Sequence, residues 1–226
     1  MRIHRFLSKQ MRQKSKSKVR TQAFLSLELF WLFLNRITKR LRDGIMLITT
    51  TYHRERAREY ARRWAFERNP IFYDFAGIGG DCTSFVSQCV YAGCCEMNYN
   101  VINGWYYSNL ENRSPSWSGV SFFYDFIVTN KGNGPFGMET DENGLEVGDV
   151  IQLQNPQGRF YHTLLVTGFE DNTYLVSAHT DDAFDRRLDS YRYAGIRFLH
   201  ILGVREYEKN KESCFYNFYN GISLNG

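Results

Sequence analysis

The segment FAGIGGDCT at positions 75–83 places Cys82 directly after a glycine-rich turn. The residues that follow, Phe85 to Val90, carry apolar side chains at helical spacing, so Cys82 is expected in the first turn of a helix. A thiolate in that position is favoured by free backbone N–H groups and by the helix dipole. The same N–H groups could receive a developing oxyanion, and Gly80 allows a substrate to approach closely. The segment predicts a cysteine nucleophile.

A base for this nucleophile is expected from two histidines in consecutive strands. His162 lies early in YHTLLVTGF and His179 ends TYLVSAH, with a turn between the two runs near 170–172. In a hairpin closed at that turn, His162 lies opposite His179. Neighbouring histidines suit a general base and the group that orients it. We therefore predict catalytic roles for Cys82, His162 and His179, with contact between cysteine and base left to the tertiary fold.

Other residues near these segments have two interpretations each. Asp81 as a carboxylate accepts hydrogen bonds and cannot donate them, so a structural role in the turn is favoured over chemistry. Asp181 or Asp182 is an alternative to His179 as the orienting group, and Arg187 is expected to pair with one of these two carboxylates. Three aromatic residues of a long loop are either core residues or walls of a substrate groove: Trp105, Tyr106 and Trp117.

The five cysteines are odd in number and unevenly spaced, with four of them between positions 82 and 95. A disulfide framework in a secreted domain usually has an even number of cysteines. The pattern therefore predicts reduced cysteines. Cys89 is assigned to the core, and Cys94 and Cys95 lack the spacing of a zinc site. No metal and no cofactor are expected.

The elements that must position these residues are helices first and a sheet afterwards. Apolar periodicity predicts helices over Thr50–Asn69, from Phe85 to Gly93 and over Val120–Asn130, with a long loop at 96–120 and a connection at 131–144. Strands are predicted for GDVIQLQ and for the two histidine runs, which form a meander, and a fourth strand for RFLHILGV at 197–204. This order is typical of an α+β domain with a segregated sheet.

Charge divides the chain into a basic arm and an acidic body. Residues 1–45 carry twelve Lys and Arg against Glu28 and Asp43, a net charge of +10, and the whole chain carries +4, which leaves −6 for the body. The apolar run at 23–34 has twelve residues, whereas about 20 are needed to span a bilayer. A weak membrane-surface helix and a translation start at Met46 are the alternatives for this arm.

We therefore expect an arm at 1–45, a catalytic domain at 46–208 and a tail at 209–226. The body has no basic stripe or nucleic-acid-binding signature, so no nucleic-acid partner is expected. The length of 226 residues fills one core but not two generous ones, and a monomer is expected. Reduced cysteines favour the cytoplasm, with export or membrane association through the arm as the alternative.

Several motifs together resemble the putative amidase domain of spore-forming bacteria: GGDCTSFVSQCVYAGC, GWYY at 104–107, SWS at 116–118, GDVIQLQ, YHTLLVTG and SAHTDD. That family is similar to the NlpC/P60 and CHAP peptidases of the papain-like superfamily. The resemblance extends roughly from Tyr52 to Val204. It implies a papain-like fold in which the nucleophile-bearing helix packs on a small antiparallel sheet.

For the site, the resemblance implies Cys82 as nucleophile, His162 as general base and then acid, and His179 as third polar residue. It implies hydrolysis of a C–N bond in a peptide or amide, such as a cell-wall peptide, through a thioester intermediate. Papain-type enzymes carry a glutamine oxyanion donor before the nucleophile, whereas Asp81 stands at the neighbouring position here. The backbone N–H of Cys82 is then the expected donor. An acyltransferase with the same dyad and a catalytically idle peptide-binding module are the alternative functions.

Overall fold

A computed structural model describes residues 47–207 and 212–222 of the chain, which belong to a compact unit at Leu47–Gly226. The predictions for the basic arm at 1–45 lie outside the described residues. The helices are α1 (Arg54–Trp64), α2 (Cys82–Cys94), α3 (Pro115–Ser118), α4 (Val120–Thr129) and α5 (Glu212–Tyr219). The strands are β1 (Ile48–Thr50), β2 (Gly134–Thr140), β3 (Val150–Gln154), β4 (Phe160–Glu170), β5 (Thr173–Ala178), β6 (Ala183–Arg187) and β7 (Gly195–Glu206).

The strands form one antiparallel sheet in the order β1-β7-β3-β4-β5-β6, with β2 also paired to β7. The α+β class, the meander of β3, β4 and β5 and the fourth strand β7 are confirmed. Three strands were not predicted: β1, β2 and β6. Strand β2 lies in the region assigned to a connection, where glycines lower β propensity. Gly137 is needed there, because a Cβ would collide with the carbonyl of His200 on β7.

The two faces of the sheet bury different side chains, as the two-residue period of a strand requires. Val150, Leu165 and Leu199 pack with the helices on one face. The opposite face carries a second apolar cluster around Ile151 and Leu164. In the first half of β4, odd-numbered side chains such as Leu165 therefore face the helices, and even-numbered ones such as Leu164 face the other way.

Helix α2 is the central element of the first cluster, and every residue from Cys82 to Gly93 is buried. It packs between the sheet and helices α1 and α5. Gly93 is required by this packing, since a Cβ there would enter the ring of Tyr52. Cys95 ends the helix in the left-handed conformation, with a φ of +51°. The predicted helix is confirmed and begins at Cys82.

The C-terminal segment, predicted to be a tail, contributes α5 to the core. The Phe218 ring is fully buried and stacks on Tyr60 with centroids 4.6 Å apart. The Trp64 indole N–H donates to the carbonyl of Tyr219 at 3.1 Å. Short polar residues around these aromatics concealed the helix, because its stability comes from tertiary packing rather than from its own propensity.

A disulfide joins Cys95, at the end of α2, to Cys214 in α5. The prediction of five reduced cysteines is therefore wrong for this pair. The two positions are 119 residues apart in the chain, so only the packing of α5 brings them together. Local cysteine spacing could not reveal this cross-link.

We expect Cys214→Ser to lower the free energy of unfolding by about 2–4 kcal/mol, because a cross-link that closes a long loop constrains the unfolded chain. Denaturant unfolding measures the change. Cys94→Ser is the matched control, since Cys94 takes no part in the disulfide. A reductant should destabilise the native protein and Cys94→Ser alike, and leave Cys214→Ser unchanged. An unaltered midpoint in Cys214→Ser would contradict this expectation.

Candidate active site

Cys82 is the first residue of α2, and the glycine-rich turn delivers it there. Gly79 and Gly80 have φ values of +107° and +103°, which residues with a Cβ rarely adopt. Asp81 precedes the helix as its N-cap residue, but its side chain makes no capping hydrogen bond. The first N–H groups of α2 are therefore not satisfied by this carboxylate.

The Cys82 thiol is 6% exposed and lies 3.8 Å from the hydroxyl of Thr83. Burial raises the pKa of this thiol. Hydrogen bonds from the Thr163 backbone and from the Thr83 hydroxyl and backbone oppose that effect, whereas the charge of Asp81 adds to it. The expectation that the helix terminus keeps a thiolate populated near neutral pH is wrong, because desolvation outweighs the local donors.

The structure brings the segments of Cys82 and His162 together through the residues that follow them. The hydroxyls of Thr83 and Thr163 lie 2.9 Å apart. The Gln152 amide donates to the same Thr163 hydroxyl at 3.2 Å. Neither threonine nor the glutamine was predicted as a site residue, because each is an ordinary polar residue until the tertiary contact forms.

The His162 side chain shares the face of Leu164 and therefore the second apolar cluster. Its ring lies 5.9 Å from that of Tyr191 and 6.0 Å from that of Tyr161, centroid to centroid. No hydrogen bond joins it to Cys82 in the part of the chain that the structure describes. Burial lowers the pKa of His162 to about 4, with Asp181 raising it and Arg186 lowering it. The ring is thus neutral at neutral pH.

His179 contacts Asp81 rather than His162. Its Nδ1 lies 2.6 Å from Asp81 Oδ2, its Nε2 lies 2.9 Å from the Trp64 carbonyl oxygen, and its ring stacks on Phe85 at 3.9 Å. Three segments therefore meet at this imidazole: the end of α1, the turn before α2 and the end of β5. As predicted, Asp81 accepts from the turn, here from the Phe75 N–H at 3.3 Å.

The predicted hairpin register is wrong by one residue. The β4–β5 turn is tight, with Glu170 opposite Thr173, and a bulge near Gly168 shifts the pairing so that Leu165 lies opposite Ser177. Continued along the strands, this register sets Thr163 rather than His162 level with His179. A slip of one residue moves a side chain to the other face of a sheet, which explains why the two histidines do not meet.

The ion pairs around the β5–β6 turn also differ from those predicted. Asp181 pairs with Arg186 at 3.5 Å, and Asp182 pairs with Arg68 at 2.9 Å. Arg187 instead pairs with Asp189 at 2.7 Å and with Asp171 at 3.3 Å. The reason is the register of β6, which sets Arg187 opposite Leu175, at the end of the hairpin away from the turn.

The aromatic loop residues divide between the two interpretations. Trp105 and Trp117 are fully buried core residues, so neither forms the wall of an open groove. The Trp105 indole donates to Ser87 of α2 at 3.0 Å. Tyr106 is partly buried against the same core. A cavity of about 330 Å³ lies between the 102–104 loop and α4, and none of Cys82, His162 and His179 lines it.

Within residues 47–207 and 212–222, no three His, Cys, Asp or Glu side chains are grouped so that they could hold a metal ion. In the same ranges, no helix has the length and apolar character needed to cross a membrane.

Comparison with known proteins gives one family and one relative. A family described as "Putative amidase domain" matches residues 51–202, a range that contains Cys82, His162 and His179. The "Uncharacterized protein YhbB" of Bacillus subtilis strain 168 is 30% identical over 146 residues, which cover 63% of this chain and 45% of that protein. The chain thus spans less than half the length of this relative. No solved structure matches.

We expect stability to depend on acid pH through His162. Its folded pKa of about 4 lies below the ordinary value of 6.5, so the unfolded chain binds the proton first as pH falls. Stability should be complete above pH 6.5 and fall by an amount on the order of 3 kcal/mol as pH drops towards 4. His162→Gln should lose most of this dependence, and His53→Gln, at an exposed position, should keep it. Denaturant unfolding at a series of pH values measures both, and equal slopes in the two variants would contradict the assignment.

Proposed function

The chain belongs to the family described as a putative amidase domain, a description that indicates an amide hydrolase of unspecified mechanism, and we propose that it acts through a cysteine nucleophile. In this proposal Cys82 attacks the carbonyl carbon of a peptide or amide substrate. His162 transfers the proton, and a thioester on Cys82 is the intermediate.

One observation carries the proposal: the thiol at the start of α2 lies against the backbone of Thr163, the residue that follows His162. A nucleophile and its base must come within hydrogen-bonding reach, and the contact at Thr163 places the backbone of His162 one residue along the strand from the thiol. The contact between the two threonine hydroxyls at 2.9 Å holds these elements together.

The base must reach the thiol around the edge of β4. Pairing between β4 and β5 ends at Leu165 and Ser177, so residues 160–164 have no β5 partner beside them. The thiol approaches this unpaired edge from the α2 face, and His162 occupies the other face. The proposal therefore requires the His162 ring to turn towards the unpaired edge when substrate binds, so that its nitrogen comes within hydrogen-bonding reach of the thiol. Catalytic hydrogen bonds are often long in the absence of substrate and shorten in the complex.

The resting pair is a protonated thiol and a neutral imidazole, given the directions of their pKa shifts. Attack forms the sulfur–carbon bond while the thiol proton passes to His162. The carbon–nitrogen bond then breaks, and His162 returns that proton to the leaving amine. Water attacks the thioester, gives a proton to His162 and releases the acid, and the proton returns to sulfur. The sum is one amide and one water converted to one acid and one amine.

The oxyanion is assigned to backbone donors at the start of α2. Asp81 does not cap the helix, so the N–H of Cys82 is not engaged by that carboxylate. Fixed N–H groups at a helix N-terminus stabilise developing negative charge in a site with little water. The side-chain donor of papain-type enzymes is not needed in this arrangement.

A nucleophile at a helix terminus, packed on an antiparallel sheet that carries the base, supports affiliation with the NlpC/P60 and CHAP peptidases. We include a papain-like fold in the proposal on that basis. The proposed substrate is a peptide or amide, such as a cell-wall peptide, in keeping with the family described as a putative amidase domain.

Burial of Cys82 to 6% exposure favours acyl transfer as a second candidate. A thioester sheltered from water lives longer and can react with a bound amine instead. The chemistry before the thioester is the same, and only the acceptor differs.

We expect Cys82→Ala to abolish amine release from peptidoglycan-derived peptides, since no nucleophile remains to form the thioester. Cys94→Ser is the matched control and should retain activity, because Cys94 lies at the opposite end of α2. Mass spectrometry of quenched reactions should find the acyl group on Cys82. Amine release by Cys82→Ala would overturn the proposal. Acyl transfer to an added amine, in place of acid formation, would select the second candidate.

We expect the acid limb of kcat/KM for the native chain to have its midpoint near pH 4, because His162 with a pKa of about 4 must be neutral to accept the thiol proton. The rate should then stay level through neutral pH, since burial raises the pKa of Cys82. A midpoint near 6.5 would show that a histidine with an ordinary pKa is the base.

A further inference from the structure

We infer that His179 and Thr180 are positioning residues that fix the Cys82 turn, and that His179 acts as a charged anchor for Asp81 instead of orienting the base. The inference rests on the proposed function only where it concerns catalysis. The placement of Cys82 can be tested without it.

The β5–β6 turn contacts both the side chain and the backbone of Asp81. His179 Nδ1 lies 2.6 Å from the Asp81 carboxylate, and the Asp81 N–H donates to the Thr180 hydroxyl at 3.1 Å. Two consecutive residues of one turn thus hold the residue directly before the nucleophile. Because Asp81 is bonded to Cys82, its orientation sets where α2 begins and where the thiol points.

The hydrogen-bond partners of His179 are the geometric basis for inferring a charged ring. Its two ring nitrogens face a carboxylate oxygen of Asp81 and the carbonyl oxygen of Trp64, and both of these are acceptors. Imidazole donates from both nitrogens only in the charged form. The ring is 1% exposed and stacks on Phe85. A histidine that donates from both nitrogens has no lone pair with which to accept a proton. Its two hydrogen bonds also keep the ring from turning towards His162.

Thr180 is held in a strained conformation to make its contact. Its φ is +63°, and Asp181 follows with a φ of +74°. A β-branched residue rarely adopts positive φ, and such residues persist where the surrounding structure requires them. The side chain is exposed, so core packing does not explain the strain. The hydroxyl bond to Asp81 is the contact that the conformation secures.

Further contacts brace the same turn. Ser177 donates to the carbonyl of Ala183 at 2.7 Å and closes the base of the hairpin. Arg68 binds Asp182 through two nitrogens, at 2.9 and 3.0 Å, and its Nε lies 3.8 Å from Asp81. The turn is therefore anchored at both ends while its middle holds the nucleophile segment.

Charge neutralisation is the second effect of the anchor. The negative charge of Asp81 raises the pKa of the Cys82 thiol. A positive His179 beside that carboxylate offsets its field at the sulfur. Loss of the anchor should both misplace the thiol and make it harder to deprotonate.

The test compares Thr180→Ala, Thr180→Ser and Asn172→Gly in the Cys94→Ser background. Asn172 has a φ of +60° in the turn at the other end of β5 and does not touch Asp81, so it is the matched control for turn flexibility. The readouts are the pH profile of Cys82 alkylation, kcat/KM for amine release and thermal unfolding. Thr180→Ala should lower kcat/KM about tenfold, the factor expected for one lost hydrogen bond. Thr180→Ser should recover most of that loss, and Asn172→Gly should leave kcat/KM unchanged.

A second measurement addresses His179 directly. Nitrogen-15 NMR of the ring in the native chain should find both nitrogens protonated at neutral pH. His179→Asn should shift the alkylation profile of Cys82 to higher pH, whereas His200→Asn, which alters a histidine paired with Asp149 at 2.7 Å, should not.

Native rates and an unshifted alkylation profile in Thr180→Ala would overturn the inference, as would an unprotonated His179 nitrogen. Activity that persists in Cys82→Ala overturns the proposed function instead and leaves the alkylation and NMR readouts to judge the positioning role. A loss of thermal stability with an unchanged alkylation profile would reduce both residues to a purely structural role, which also overturns the inference.

Discussion

The buried pair between Asp81 and His179 is the interaction on which the arrangement of this domain depends. It joins the end of α1, the start of α2 and the turn after β5, which come from three separate parts of the chain. Removing one partner would leave a polar or charged group in a site that is 1% exposed, a change that typically costs several kcal/mol. The pair and the Trp64 carbonyl together form a buried polar contact that the three segments share.

Local patterns in the sequence were sufficient for most elements and for the position of Cys82. Apolar periodicity identified α2 and the β3–β5 meander, because these elements bury a regular face. Strand β6 was missed because AFDRR is short and mostly charged, and α5 because its partners are distant in sequence. The disulfide between Cys95 and Cys214 was missed for the same reason, as it depends on where α5 packs.

The site shows a more specific limit. The sequence predicted the hairpin that carries His162 and His179, yet a single bulge near Gly168 placed the two side chains on opposite faces of the sheet. The apolar periodicity of a sequence does not reveal a bulge. Because the side-chain period of a strand is two, a shift of one residue moves a side chain from one face of the sheet to the other. The electrostatic expectation for Cys82 failed for a related reason. A helix terminus can be recognised from sequence, whereas the depth of burial that outweighs it is a tertiary property.

The disulfide at the far end of α2 shows a further effect of the burial of Cys82, namely on its oxidation. One helix carries an oxidised cysteine just beyond its last turn and a reduced one at its first, so the two sulfurs coexist in different redox states. Thiol–disulfide exchange and oxidation both proceed through an accessible thiolate. A thiol that is protonated and shielded reacts slowly with oxidants, so the domain can form its cross-link without oxidising Cys82. The burial and the raised pKa of the Cys82 thiol therefore keep it out of the disulfide chemistry of Cys95 and Cys214.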